Sequence, residues 1–178
     1  MIMLKNLLGL KEKATPGRDA YGLAVSRARA REFYVDHGVE DRIDARFELY
    51  TLHVLLLVLR LRDEDTPGAR DAAQDLFDTY VSALDNALRE LGVGDVAVSK
   101  KMRKLGEALY GRMQAYETPL RANDAAGLAE ALDRNVYAGA GAGHAPWLAA
   151  YALDSRARLA AQPVESCLKA PDWAGVSA

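Results

Sequence analysis

One cysteine, Cys167, in 178 residues leaves no partner for an internal disulfide and fits a reducing compartment. The same count excludes a zinc site built on cysteines. Proline is scarce, at six, and the fourteen glycines are clustered, so long stretches run without a breaker. No alternating apolar–polar stretch reads as a strand, and no unit repeats at a fixed period. Charge of one sign is missing as well: 23 Lys and Arg against 25 Asp and Glu give a formal net charge of −2. A nucleic-acid role would need a local basic patch, and DNA is not an expected partner. A membrane-spanning helix needs about 20 apolar residues. The apolar run LYTLHVLLLVL, Leu49 to Leu59, has eleven and is flanked by Arg46, Arg60 and Arg62, so it reads as a buried core helix.

Chemistry-bearing motifs are missing too. His37, His53 and His144 stand in a loop, in the apolar helix and in a glycine linker, with no H-x-x-x-H or H-E-x-x-H pair among them. His53 reads as a core histidine bonded to a backbone or carboxylate group. No serine sits in a nucleophile elbow, and Cys167 has no evident base. Gly92, Gly94 and Ala97 have G-x-G-x-x-A spacing, but that fingerprint needs a preceding strand, and here an amphipathic helix precedes it. The glycines therefore read as a corner between two helices. We expect no catalytic residues, no metal and no cofactor: a non-enzymatic protein.

What is present is helical periodicity. A first helix is expected from Asp19 to about Glu32, broken by FYVDHGVED; a second runs from Arg42 to Arg62 and is apolar at almost every angle. A third, Ala69 to Leu91, repeats apolar residues every three or four positions, with Pro67 and Gly68 as breakers before it. The fourth, Val96 to Arg121, carries the stripe Val98, Met102, Leu105, Leu109, Met113, Tyr116 and Leu120, with Pro119 expected to kink or end it. Asn123 or Asp124 caps a fifth at AAGLAEALDRNVY, AGAGAGHAP reads as a flexible connector, and Trp147 to Leu159 forms a sixth. One more turn is expected around VESCLKA, then a ragged tail. The expected fold is all-α, a single bundle of six to seven helices around the second. We divide it into residues 1–17, an amphipathic N-terminal segment, residues 18–161, the helical domain, and residues 162–178, a C-terminal tail.

Two cationic features remain. Lys100, Lys101, Arg103 and Lys104 form the densest basic cluster; Lys100, Arg103 and Lys104 share one helical face while Met102 and Leu105 point inward. Cations near a helix N-terminus oppose the macrodipole, so local stability does not explain the cluster. Solvation is the common reason for such a run, and contact with RNA, acidic protein or lipid headgroups competes with it. The start, MIMLKNLLGLKEK, has neither the form of a secretory signal nor that of a transit peptide. Its amphipathic pattern suits weak attachment to an anionic membrane; the preferred reading is a frayed terminus or a helix packed on the domain.

Several segments resemble the ubiquinol–cytochrome c chaperone family, the cytochrome b assembly factors. They are VSRARAREFYVDHGVEDRIDARF, RFELYTLHVLLLVLRL, LRELGVGDVAVSKKMRKLGEALYGRMQAYE and GLAEALDRNVY, which together cover most of residues 21–137. The matching positions are Leu52, His53, Arg60, Gly92, Val93, Lys100, Lys101, Tyr110 and Tyr116. The resemblance implies a helical chaperone whose client is newly made cytochrome b, for biogenesis of ubiquinol–cytochrome c reductase. It also implies contact with the ribosome near its exit site, as mitochondrial relatives make. Absence of a targeting presequence reads as a bacterial, cytoplasmic member, peripheral on the inner membrane where it meets its client. Expected partner contacts are Arg60, Lys100, Lys101, Arg103, Lys104, Tyr110 and Tyr116. The glycine–alanine connector and the tail after Gln162 carry no recognised family signal. The alternative reading is a peripheral helical module that binds RNA or anionic lipid.

Overall fold

A helix that is apolar on all sides is stable only when surrounded, and the fold follows from that requirement. The computed structural model describes residues 15–90, 95–141 and 143–176, with the backbone alone for 95–103 and 105. In chain order the helices are α1 (Pro16–Ala28), α2 (Arg31–Val35), α3 (Ile43–Glu64), α4 (Pro67–Glu90), α5 (Asp95–Ala122), α6 (Ala125–Val136), α7 (Ala145–Ala161) and α8 (Val164–Cys167). Six are long, two are short turns, and no strand occurs among the described residues, as expected of an all-α chain. Every residue of α3 from Thr51 to Leu59 is buried. Helices α1, α4, α5, α6, α7 and α8 all pack on it. Full burial of each leucine there contributes about 1.5–3 kcal/mol.

Helix ends show where local chemistry prevails over periodicity. The first helix begins at Pro16, whose fixed φ suits a first turn, and stops at Ala28; the chain kinks at Arg29 and Ala30 before α2. The expected break at Phe33–Val35 is instead this short helix, held by the complete burial of Phe33. Gly38 has φ +67°, and a Cβ there would stand 2.6 Å from the His144 ring, so both conformation and contact require glycine. Pro67 opens α4 rather than lying outside it. Pro119 stays inside α5, which continues to Ala122. Asp124 caps α6 by accepting the Gly127 N–H at 3.0 Å.

Two segments expected to be loose are built. In the glycine–alanine connector, the Gly139 N–H donates to the Asp133 carbonyl at 2.9 Å and the Gly141 N–H to Asp133 Oδ1 at 2.7 Å. A Cβ on Gly141 would lie 2.3 Å from the Tyr137 ring, so this glycine permits close packing rather than mobility. The C-terminal segment is a strap, not a ragged end. The Ala174 N–H donates to Ser155 Oγ at 3.1 Å, the Ala174 carbonyl accepts from Arg27, and the Val176 carbonyl accepts from His37 Nε2 at 3.0 Å. Trp173 is carried onto the His53 ring, centroids 5.2 Å apart. Residues 1–14 of the N-terminal segment and the Gly92–Gly94 corner lie outside the described residues.

His53 is fully buried, and its hydrogen bonds have one polarity. Nδ1 lies 2.8 Å from the Leu49 carbonyl, which can only accept, so Nδ1 carries the proton. Nε2, 2.9 Å from the Tyr151 hydroxyl, then accepts from it, and Arg27 Nε donates to the same oxygen at 3.0 Å. Burial holds the His53 pKa down to about 4, with the Leu49 bond opposing and the Arg27 charge adding to the fall. Between the ordinary 6.5 and about 4 the unfolded chain binds a proton that the folded chain does not. This contribution is complete above the unfolded value and is lost as pH falls through the window, at a cost of about 3 kcal/mol. Urea unfolding from pH ~7 down to ~4 should therefore show a larger acid loss for the parent than for His53→Gln. Equal losses in the two proteins would overturn this account.

Candidate functional site

Three helices each contribute one stripe to an open groove of about 590 Å³. Its floor is Leu55, Val58 and Arg62 of α3; one wall is Arg70, Ala73, Gln74 and Phe77 of α4; the other is Tyr110, Met113, Gln114 and Glu117 of α5. Both walls use the spacing i, i+3, i+4, i+7, so each is a single helix face about two turns, or about 10 Å, long. The centre is apolar: Leu55 and Val58 are buried at the base, and Phe77 and Met113 are partly buried beside them. The rim is polar. Arg62 lies 3.9 Å from Glu117 across one end, a weak exposed pair, and Arg70 is paired with Asp65. Tyr110 is 73% exposed on the rim.

This lining suits binding of an apolar or amphipathic segment. Phenylalanine and methionine supply adaptable apolar contact, and an exposed tyrosine offers an amphipathic anchor. The lining contains one carboxylate and no histidine, cysteine or serine. Among the described residues, no cluster of three or more His, Cys, Asp or Glu could hold a metal ion. No described helix is long and apolar enough to cross a membrane. Around His53 the packing leaves no exposed edge, and both ring nitrogens are engaged.

The expected contact residues separate into three groups. Tyr110 lines the groove, and Lys104 is exposed on the same helix. Lys100, Lys101 and Arg103 fall in the first turns of α5, with side chains outside the described residues. Arg60 and Tyr116, by contrast, are engaged within the fold. Arg60 Nε donates to the Leu159 carbonyl at 2.9 Å and Nη2 to that of Gln162 at 2.7 Å, stapling α3 to the end of α7. Its Nη1 also meets Glu64 Oε2 at 2.9 Å. The side chain is only 10% exposed, so it is occupied internally. Tyr116 is fully buried and donates to Glu48 Oε2 at 2.8 Å, while Arg112 Nε donates to Oε1 at 2.8 Å. Burial pushes the Glu48 carboxyl up from its ordinary value, with the Arg112 and Tyr116 bonds opposing.

Tyr116 was already on the apolar stripe with Leu109 and Leu120, a signal pointing inward. Arg70, Gln74, Gln114 and Glu117 were missed because ordinary polar residues on helix faces carry no mark of a rim. Phe77 and Met113 sit on apolar stripes, and no spacing rule separates a stripe residue facing a neighbour from one facing a gap.

Comparison with known proteins follows the same outline. The family model described as "Ubiquinol-cytochrome C chaperone" matches residues 35–171, which includes the connector and ends just before the strap contacts at Trp173, Ala174 and Val176. The crystal structure of the Cbp3 homolog from Brucella abortus is similar, with 34% sequence identity and a TM-score of 0.82. The alignment covers 99% of this chain and 98% of that one. No curated protein sequence matches the chain.

The two tyrosines of α5 should respond differently to substitution. Tyr110→Ala should leave the unfolding free energy within about 0.5 kcal/mol of the parent, because the side chain is exposed. Tyr116→Phe should cost about 1–3 kcal/mol, because a buried Glu48 oxygen loses its donor. Denaturant unfolding measures both, and equal losses would contradict this placement of α5.

Proposed function

The chain belongs to the ubiquinol–cytochrome c chaperone family, and from that premise we propose that it binds newly made cytochrome b, without catalysis, for assembly of the ubiquinol–cytochrome c reductase complex. The observation that supports this reading is the groove between α3, α4 and α5. It is apolar along its centre, polar at its rim and open to solvent, the anatomy of a surface that receives a hydrophobic segment and releases it. Full enclosure would suit a small ligand; an open trough about two turns long suits part of a helix.

The basic residues at the start of α5 supply a second contact in this reading. Lys100, Lys101, Arg103 and Lys104 belong to the same helix as Tyr110. An anionic surface beside the emerging client, at the ribosome exit site or on the inner membrane, would meet them while the groove holds the segment. The chaperone then works from the cytoplasm, peripheral to the membrane.

Affinity capture of the tagged chain from its own cells, with mass spectrometry, should recover cytochrome b. Phe77→Asp combined with Met113→Asp should abolish that recovery while helicity by circular dichroism is retained. Lys100→Glu with Lys101→Glu should weaken it. Normal levels of the assembled complex in a deletion strain, together with no cytochrome b in the capture, would overturn the reading.

A further inference from the structure

Glu48 is the only buried carboxylate among the described residues, 3% exposed where α3 meets α5. Removing a carboxylate from water is costly, and an apolar residue of similar volume at such a place is often neutral or stabilising. Stability alone therefore does not account for a carboxylate here. Direction does: each oxygen accepts one hydrogen bond, from Arg112 Nε and from the Tyr116 hydroxyl, both at 2.8 Å. The two donors are four residues apart on one face of α5, so the contact holds that helix at two points one turn apart.

A two-point hold fixes what apolar packing leaves soft. Burial of Leu109 and Leu120 draws α5 onto the bundle but has no directional preference. From Lys104 to Gly111, Leu109 is the only buried side chain among the described residues, and Gly106 and Gly111 have no side chain to engage a neighbour. Tyr110 stands in this stretch. At about 100° per residue, Arg112 and Tyr116 lie about 120–160° around the helix from Tyr110 and Gln114. Rotation at the Glu48 contact therefore changes where the groove wall points.

We propose that Glu48 is a positioning residue for the groove: by holding Arg112 and Tyr116 it sets the rotation and axial register of α5, and hence the direction in which Tyr110, Met113 and Gln114 face Gln74 and Phe77. The functional part of this inference rests on the groove being the client site proposed above; the geometric part does not. Asp44 on α3 and Tyr80 on α4 also act electrostatically at this carboxylate, but neither bridges to α5.

Spin labels on Gln74→Cys and Gln114→Cys report the groove width directly, in a Cys167→Ala background that removes the native thiol. The parent should give a narrow distance distribution. Glu48→Gln, which keeps one acceptor oxygen, should broaden it, and Glu48→Leu, which keeps the burial and loses both bonds, should broaden it further. The second probe is the tightest-binding member of a set of synthetic peptides spanning cytochrome b. Its affinity should fall about tenfold in each Glu48 variant, the scale of one charge-assisted hydrogen bond. Arg27→Ala, which unties α1 from Tyr151 and the strap through bonds that do not involve α5, should destabilise the fold and leave both readouts unchanged. Unchanged distances in both Glu48 variants, or equal broadening in Arg27→Ala, would overturn the proposal. Broadened distances with undiminished peptide affinity would support the positioning role and overturn the reading of the groove as the client site.

Discussion

The whole fold depends on how α3 is buried. A helix with leucine or valine on every side cannot rest on a single partner, so six other helices are recruited around it. That arrangement makes every buried polar group on α3 a problem of satisfaction, since water cannot reach it. They are answered from α4, α5 and α7. Thr51 Oγ1 donates to the Phe47 carbonyl and accepts from Tyr80 of α4 at 2.7 Å. Glu48 takes two bonds from α5, His53 ties to Tyr151 of α7, and Arg60 ties to the end of α7 and Gln162. Hydrophobic burial draws the helices together without choosing their rotation, and these four polar pins choose it.

The groove is a consequence of the same plan. Helices α4 and α5 both lean on α3, and where their stripes diverge the α3 surface is left as a floor between them. Little else that is large and apolar is exposed: among the described residues only Val35, Ile43 and Tyr110 are, and Tyr110 belongs to the groove. An assembly chaperone has to hold a hydrophobic segment loosely enough to give it up. A short, open trough with methionine and phenylalanine at its centre and weak ion pairs at its rim meets that requirement better than a deep, complementary pocket.

Much of the fold could be read from the chain, and the particular failures have physical causes. The all-α class, the central second helix, the Asp124 cap and the core role of His53 follow from spacing and local chemistry, which neighbours only reinforce. The connector and the C-terminal strap were misjudged because glycine, alanine and short polar stretches look the same whether they are loose or packed. Their order comes from Asp133, Ser155, Arg27 and His37, which are far along the chain from some of the groups they hold. Arg60 was assigned to a partner since a cation beside an apolar run suggests a surface edge. The carbonyls of Leu159 and Gln162, about a hundred residues away, claim it instead.

Local pattern along the chain settles most of the helical spans, which faces are apolar, and that α3 must be enclosed, because these depend on periodicities of a few residues and on the cost of leaving leucine in water. The resemblance of its segments to one family was also present there. Tertiary structure alone decided that Tyr110 faces solvent and Tyr116 the core, that Arg60 is a staple, and that Phe77 and Met113 border a gap. Those outcomes depend on where helix axes come to rest against one another, and that is set by buried contacts between residues remote in sequence.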